Sequence, residues 1–191
     1  VITAGGDFTI NLNARAYTPY VTSGPQTTGF SESFEAFDAT AGYFYKDWYI
    51  RWSTSNMTAH SGDLSLWLTN TTNGYTAVTP RITVSNNDAV EFWLQRDAAT
   101  TKDSVVVAYT ENINNVNATF TKLHKFYLAD IPTEYSDVNS RKVVDLSALA
   151  GKSIYLAFIG GSYGGSTRMD DVRFFNDSPL SIDNGKTAET I

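Results

Sequence analysis

The sequence contains no cysteine. That absence excludes disulfides, thiolate metal sites and a cysteine nucleophile. It leaves secretion open. Histidine occurs only as His60 and His124, with no H-E-x-x-H or other transition-metal spacing, so both are expected as isolated surface residues. No run of about 18 apolar residues occurs, so no spanning helix is expected, and no signal peptide is visible. The chain starts at Val1, which reads as a mature or trimmed chain whose leader is missing. Positive charge is also sparse: 14 Lys and Arg against 20 Asp and Glu leave a net charge of −6 and a pI near 4.8. With no basic cluster, nucleic acid and anionic membranes would be repelled. The acidic surplus leaves carboxylates for a hard cation such as Ca²⁺.

What the sequence does have is aromatic residues, 11 Tyr, 11 Phe and 4 Trp, together with 13 Gly. Aromatic and β-branched residues favour pleated sheets. Trp48, Ile50 and Trp52 alternate with Tyr49 and Arg51. Leu64, Leu66 and Leu68 alternate with Ser65 and Trp67, and Val90, Phe92 and Leu94 with Glu91 and Trp93. Further runs are Val105–Tyr109, Phe126–Leu128, Val143–Leu146, Ile154–Phe158 and Met169–Phe175. This period-2 pattern recurs about ten times with turn residues between, which predicts an all-β chain. Leu146–Gly151 reads as a single helical turn ended by glycine. The expected architecture is a two-sheet antiparallel β-sandwich, a jelly roll of concanavalin-like or galactose-binding-like form.

The chain is long enough for one sizeable core. Residues 1–28 are polar and read as an extension or lead-in, with strands expected over 8–12 and 16–21. The sandwich is expected over 29–176. Residues 177–191 lose periodicity and read as a tail or a linker to a further module.

Two phrases place carboxylates beside apolar strand residues. They are Phe30-Ser31-Glu32-Ser33-Phe34-Glu35 and Arg168-Met169-Asp170-Asp171-Val172-Arg173-Phe174-Phe175. A buried charge must be paired, hydrogen-bonded or metal-bound. Asp170 shares parity with Val172 and Phe174, which would put it at the core edge and Asp171 outside. A cation could hold Asp170, or Arg168, of the same parity, could pair with it. Glu32 and Glu35 differ in parity and cannot both face the core. The stretches Asp38–Thr40 and His60–Asp63 could add oxygen ligands.

The order of phrases resembles the cleaved-adhesin / choice-of-anchor-J family of Bacteroidetes surface proteins. It is also similar to MAM domains and jelly-roll carbohydrate-binding modules. The phrases are Glu32-Ser33-Phe34-Glu35, Trp48–Trp52, Ser61-Gly62-Asp63-Leu64-Ser65-Leu66, Thr79-Pro80-Arg81-Ile82 and Val90–Trp93, then Val144–Lys152, Ile154–Phe158 and Met169-Asp170-Asp171-Val172. They span about residues 30–175. The resemblance implies a structural Ca²⁺ held by Glu35 and Asp170, helped by loop carbonyls near Ser61 and Asp63. The family has Gly-Trp after the Phe-Glu phrase, whereas this chain has Gly42-Tyr43 followed by Phe44-Tyr45-Lys46-Asp47. A bacterial host, also implied, would leave the sequons at Asn56, Asn70 and Asn117 without meaning.

Four aromatics lie off the core parity: Tyr49, Trp67, Trp93 and Tyr155. They either stack on sugar C–H faces or fill the edges of the sandwich. Gly160-Gly161-Ser162-Tyr163-Gly164 fits a G-x-S-x-G elbow, but a strand follows it and both histidines precede it, so Ser162 reads as part of a glycine loop. A glycosidase would need two carboxylates across a cleft, and Glu32, Glu35, Asp170 and Asp171 qualify by residue type alone.

The functional expectation is a non-catalytic extracellular or cell-surface module, lipoprotein-anchored through its leader, that binds a glycan or a host protein. It is expected to act as a monomeric unit of a larger or anchored protein, without direct membrane insertion. The alternatives are a ligand-free accessory domain and a jelly-roll glycoside hydrolase or lyase.

Overall fold

A computed structural model describes residues 8–11, 29–38, 44–45, 48–50, 53–55, 58–68, 76–98, 104–113, 117–136, 138–160 and 166–176. The expected strand over 16–21, the stretch 177–191, Trp52, Ser162, Asn56 and Asn70 lie outside the described residues.

The described residues form two antiparallel sheets. One contains β1 (Phe8–Asn11), β3 (Phe44–Tyr45), β4 (Trp48–Ile50), β7 (Thr76–Val78), β8 (Ile82–Thr83), β10 (Ser104–Thr110), β11 (Asn117–Tyr127) and β13 (Ser153–Gly160). Its order is β1-β11-β10-β13-β7-β4-β3, with β8 also on β13. The other contains β2 (Ser31–Glu32), β5 (Ser53–Ser55), β6 (Ser65–Leu68), β9 (Asp88–Ala98), β12 (Arg141–Asp145) and β14 (Ser166–Asn176). Its order is β12-β9-β14-β6-β5, with β2 also on β14. Residues distant in sequence are thus neighbours: β2, from the start of the chain, pairs with β14 through Glu32 opposite Val172.

The alternating pattern explains the core. Val90, Phe92, Leu94 and Met169 of one sheet and Trp48, Ile50, Val105, Val107, Leu156 and Phe158 of the other share one buried cluster. Phe92 meets Phe158 edge-on at 5.0 Å, and Phe34 meets Trp48 edge-on at 5.2 Å. Such contacts add to the burial of apolar area that drives the sheets together. The expected turn near 146–151 is a 3-10 turn over Ser147–Leu149, followed by Gly151 at φ 83°. A second turn, Leu128–Asp130, ends β11 where strand was expected to continue.

The larger sheet departs from simple in–out alternation. Tyr49, Val78, Val106, Ala108, Phe120, Tyr155, Ala157 and Ile159 belong to a second apolar cluster, and each is at most 5% exposed. They alternate with the core residues, so they lie on the opposite face of that sheet. A sandwich sheet ordinarily has one wet face; over these strands both faces are buried.

Candidate functional site

Three acidic residues from both ends of the chain gather on the loop that follows β5. The backbone N–H groups of His60 and Ser61 donate to Asp170 Oδ2 at 2.8 and 3.1 Å. The N–H groups of Asp63 and Leu64 donate to Glu35 Oε2 and Oε1 at 2.8 and 3.0 Å. Asp171 takes the loop side chains: its Oδ2 lies 2.6 Å from His60 Nδ1, and its Oδ1 accepts from Ser61 Oγ at 2.7 Å. The loop is therefore held at 60–61 from β14 and at 63–64 from the segment after β2.

Local backbone geometry produces this grip. Phe34 has φ 61°, which is unfavourable for a residue with a Cβ. Glu32 Oε1 accepts the Phe34 N–H at 2.8 Å and holds the turn. The turn sends Phe34 into the core and Glu35 outward, so strand parity no longer relates Glu32 to Glu35. Gly62 has φ 62°, and a Cβ built there would lie 2.4 Å from the Glu35 carboxyl carbon. The Glu35 contact therefore requires glycine at 62 both for its dihedral angle and for its lack of a side chain.

Asp170 is fully buried, but parity puts it on the wrong face. Met169 stands opposite Leu94, both in the core, and Asp170 stands opposite Trp93 on the outer face. Arg173 stands opposite Glu91. Two residues, Asp171 and Val172, therefore face Phe92 alone, and Asp171 has φ 49°. This β-bulge reverses the alternation. The expected core-edge position of Asp170, inferred from Val172 and Phe174, is corrected: its burial comes from loop 58–64 and Tyr135, not from the hydrophobic core. Arg168 does not pair with it, because its guanidinium pairs with Asp97.

Burial raises the Asp170 pKa to about 7, and the neighbouring Asp171 charge adds to the rise, against the pull of the three N–H groups of Ser61, His60 and Asp171. Burial and the Asp170 carboxylate raise Tyr135 far above the usual phenol range. Tyr135 meets His60 edge-on at 5.7 Å. His60 also lies flat on Trp93, with ring centres 4.5 Å apart. His60 is thus part of this cluster, which corrects its reading as an isolated surface residue. His124 is exposed, 4.3 Å from the Phe126 ring. Neither Tyr135 nor the stacking of His60 on Trp93 left a signal in the sequence, because both depend on contacts between remote segments.

The ligand donors expected for Ca²⁺ occupy this one region. Glu35, Asp170, Ser61 and Asp63 all take part in the loop contacts. The side-chain donors are oxygens, which suits a hard cation. Among the described residues, no three His, Cys, Asp or Glu side chains form a ready metal-binding group.

The four aromatics separate. Tyr49 and Tyr155 are 2% and 5% exposed in the second apolar cluster, so they take the packing alternative and present no ring to a ligand. The Arg168 guanidinium lies over the Trp67 ring, 5.9 Å from its centre. Trp93 is half-buried and lines an open cleft of about 430 Å³ with Ser31, Glu32, Glu91, Asp171 and Arg173. Glu91 is 1% exposed and pairs with both Arg141 and Arg173.

The architecture is that of a jelly-roll sandwich module. No protein-family model matches the sequence, and no curated protein matches it significantly. Solved structures do match. The K1 cleaved adhesin domain of Lys-gingipain from Porphyromonas gingivalis is 18% identical, with 77% of this chain and 97% of that one covered and a TM-score of 0.56. The K3 domain of the same protein is 17% identical over 76% and 97%, with a TM-score of 0.53. The C-terminal family 22 carbohydrate binding module of Clostridium thermocellum Xyn10B is 11% identical over 78% and 94%, with a TM-score of 0.50. At these identities the likeness is one of fold.

Proposed function

We propose that this chain is a non-catalytic binding module that recognises a glycan or a protein outside the cell, with a calcium ion bound at the clasped loop. The observation that carries the binding role is the cleft beside Trp93, where an aromatic ring, hydroxyls and charged groups meet. The lining is mainly polar, with Trp93 and Val172 as its apolar part, which suits a ligand rich in hydroxyls or amides. The fold likeness to adhesin and carbohydrate-binding domains agrees with the reading.

The hydrolase alternative is less well supported. Asp170 has the raised pKa of a general acid, but it is 0% exposed and its oxygens already accept three backbone N–H groups. A catalytic acid must reach its substrate. The accessory-domain alternative draws support from Tyr49 and Tyr155, which pack rather than project.

For calcium, the support is that Glu35, Asp170 and Asp171 bring carboxylate oxygens to the same loop, Glu35 at one end and the two Asp at the other. No helix among the described residues is long and apolar enough to cross a membrane. Glycan and extracellular-matrix protein arrays, probed with and without Ca²⁺, test the binding role. Saturable binding in either array supports it, and blank arrays at high protein concentration would overturn it. Elemental analysis tests the ion: calcium at about one per chain supports the site, and its absence from protein dialysed against Ca²⁺ removes it.

A further inference from the structure

We infer that the ligand site is the cleft formed by β2 and the outer face of β9 and β14, that Trp93 and Arg173 are its recognition residues, and that its ligand is a neutral glycan. This rests on the binding-module reading above.

Elimination among the aromatics leads to this cleft. Tyr49 and Tyr155 are sealed in the second apolar cluster, and Trp67 carries the Arg168 guanidinium. Among the described clefts, Trp93 is the one of the four aromatics in the lining, and the volume of about 430 Å³ lies in the range of small-ligand sites. His60 is stacked on the Trp93 ring and limits its movement.

Arg173 complements it. Its side chain is 55% exposed, yet its guanidinium is anchored to Glu91, which is 1% exposed. Arg141 pairs with the other oxygen of the same carboxylate. A guanidinium has five N–H donors in a rigid fork, so one ion pair fixes its position and leaves donors over. Preorganisation of this kind lowers the entropic cost of binding. The Ser31 and Ser33 hydroxyls lie on the cleft wall and can both donate and accept.

Charge selects the class of glycan. The lining carries Glu32, Glu91 and Asp171 against Arg173, and even with Arg141 counted the carboxylates outnumber the guanidiniums. The whole chain is also net negative, at −6. Uronates and sulfated sugars would meet like charge, which acts as a penalty against them. A neutral pyranose has hydroxyls that satisfy carboxylate and guanidinium alike, and a C–H face for the indole.

Isothermal titration of the whole chain in Ca²⁺ tests this, with neutral oligosaccharides (xylo-, cello- and galacto-) and acidic ones (oligogalacturonate and heparin fragments). A neutral oligosaccharide is expected to bind, with affinity reduced about tenfold or more in both Trp93→Ala and Arg173→Gln. Trp67→Phe should bind as the parent does. Trp93→Phe keeps a ring for His60 to pack on but offers a smaller apolar face. It should fall between Trp93→Ala and the parent, and circular dichroism confirms that each variant is folded. Neutral binding that survives both Trp93→Ala and Arg173→Gln, or binding of the acidic sugars alone, overturns the inference while leaving the module reading intact. Binding on a protein array with none to any glycan does the same. Silence in every assay removes both.

Discussion

Glu35 and Asp170 hold the two ends of one loop. Glu35 accepts the N–H groups of Asp63 and Leu64, and Asp170 those of His60 and Ser61. The two acids are 135 positions apart in sequence, so the loop fastens the start of the sandwich to its last strand. Breaking either end should loosen the same segment.

Gly62→Ala should destabilise the protein more than Gly151→Ala. Both glycines have positive φ, 62° and 83°, so both substitutions carry about 1–2 kcal/mol of backbone strain. Only at 62 would the new Cβ strike the Glu35 carboxyl; at 151 nothing lies within 4 Å. Urea denaturation should separate the two by about 1 kcal/mol or more. Equal losses would mean that Glu35 is not held against the loop.

Asp170→Ala should cost more than Asp171→Ala. The first leaves the part-buried N–H groups of His60, Ser61 and Asp171 without their acceptor. A stranded donor costs about 1–3 kcal/mol when fully buried and less where water reaches it, so a loss of about 2–3 kcal/mol is expected from the three together. Asp171 is partly exposed and bonds to side chains that water can serve instead, so about 1 kcal/mol is expected. Denaturant midpoints for the pair read this directly.

Metal-free protein should lose stability as pH rises from about 4 to about 7. Asp170 has a folded pKa near 7 against an ordinary 3.8, so in this window the folded state binds the extra proton. Stability then falls with pH and levels off above the folded pKa. Ca²⁺ binds the ionised carboxylate, so added Ca²⁺ should raise the melting temperature most at pH 8 and least at pH 5, and chelator should reverse the gain. Melting curves in chelator that do not change between pH 5 and 8 would contradict the raised pKa, and melts indifferent to Ca²⁺ at pH 8 would contradict the ion.

Ile159→Ala should be as costly as Ile154→Ala, at about 2–5 kcal/mol each. Ile154 faces the sandwich core and is 0% exposed, whereas Ile159 lies in the second cluster at 4%. A residue on a wet sheet face would cost about 0.5 kcal/mol or less. Thermal unfolding of the two variants distinguishes a sheet buried on both faces from one buried on a single face.

Much of the fold was legible in the sequence. Side chains on a strand alternate whatever surrounds it, so Val90, Phe92 and Leu94 announce their shared face from spacing alone. The same rule failed at Asp170, because it assumes an unbroken strand. Nothing in Asp170-Asp171-Val172 marks the bulge; the pairing with β9 creates it, with Asp171 at φ 49°. The rule also could not say which off-parity aromatics meet solvent, since that depends on what packs on the outer faces.

The sequence by itself determined the strands, the residues that share a core and the acidic, cysteine-free chemistry of the chain, because these follow from local alternation and composition. The tertiary structure alone decided that Asp170 lies on the outer face, that Tyr49 and Tyr155 are sealed while Trp93 borders a cleft, and that His60 joins the acidic cluster. Each of these depends on a contact between segments tens of residues apart, and such contacts are set by sheet register and layer packing, which leave no local pattern in the chain.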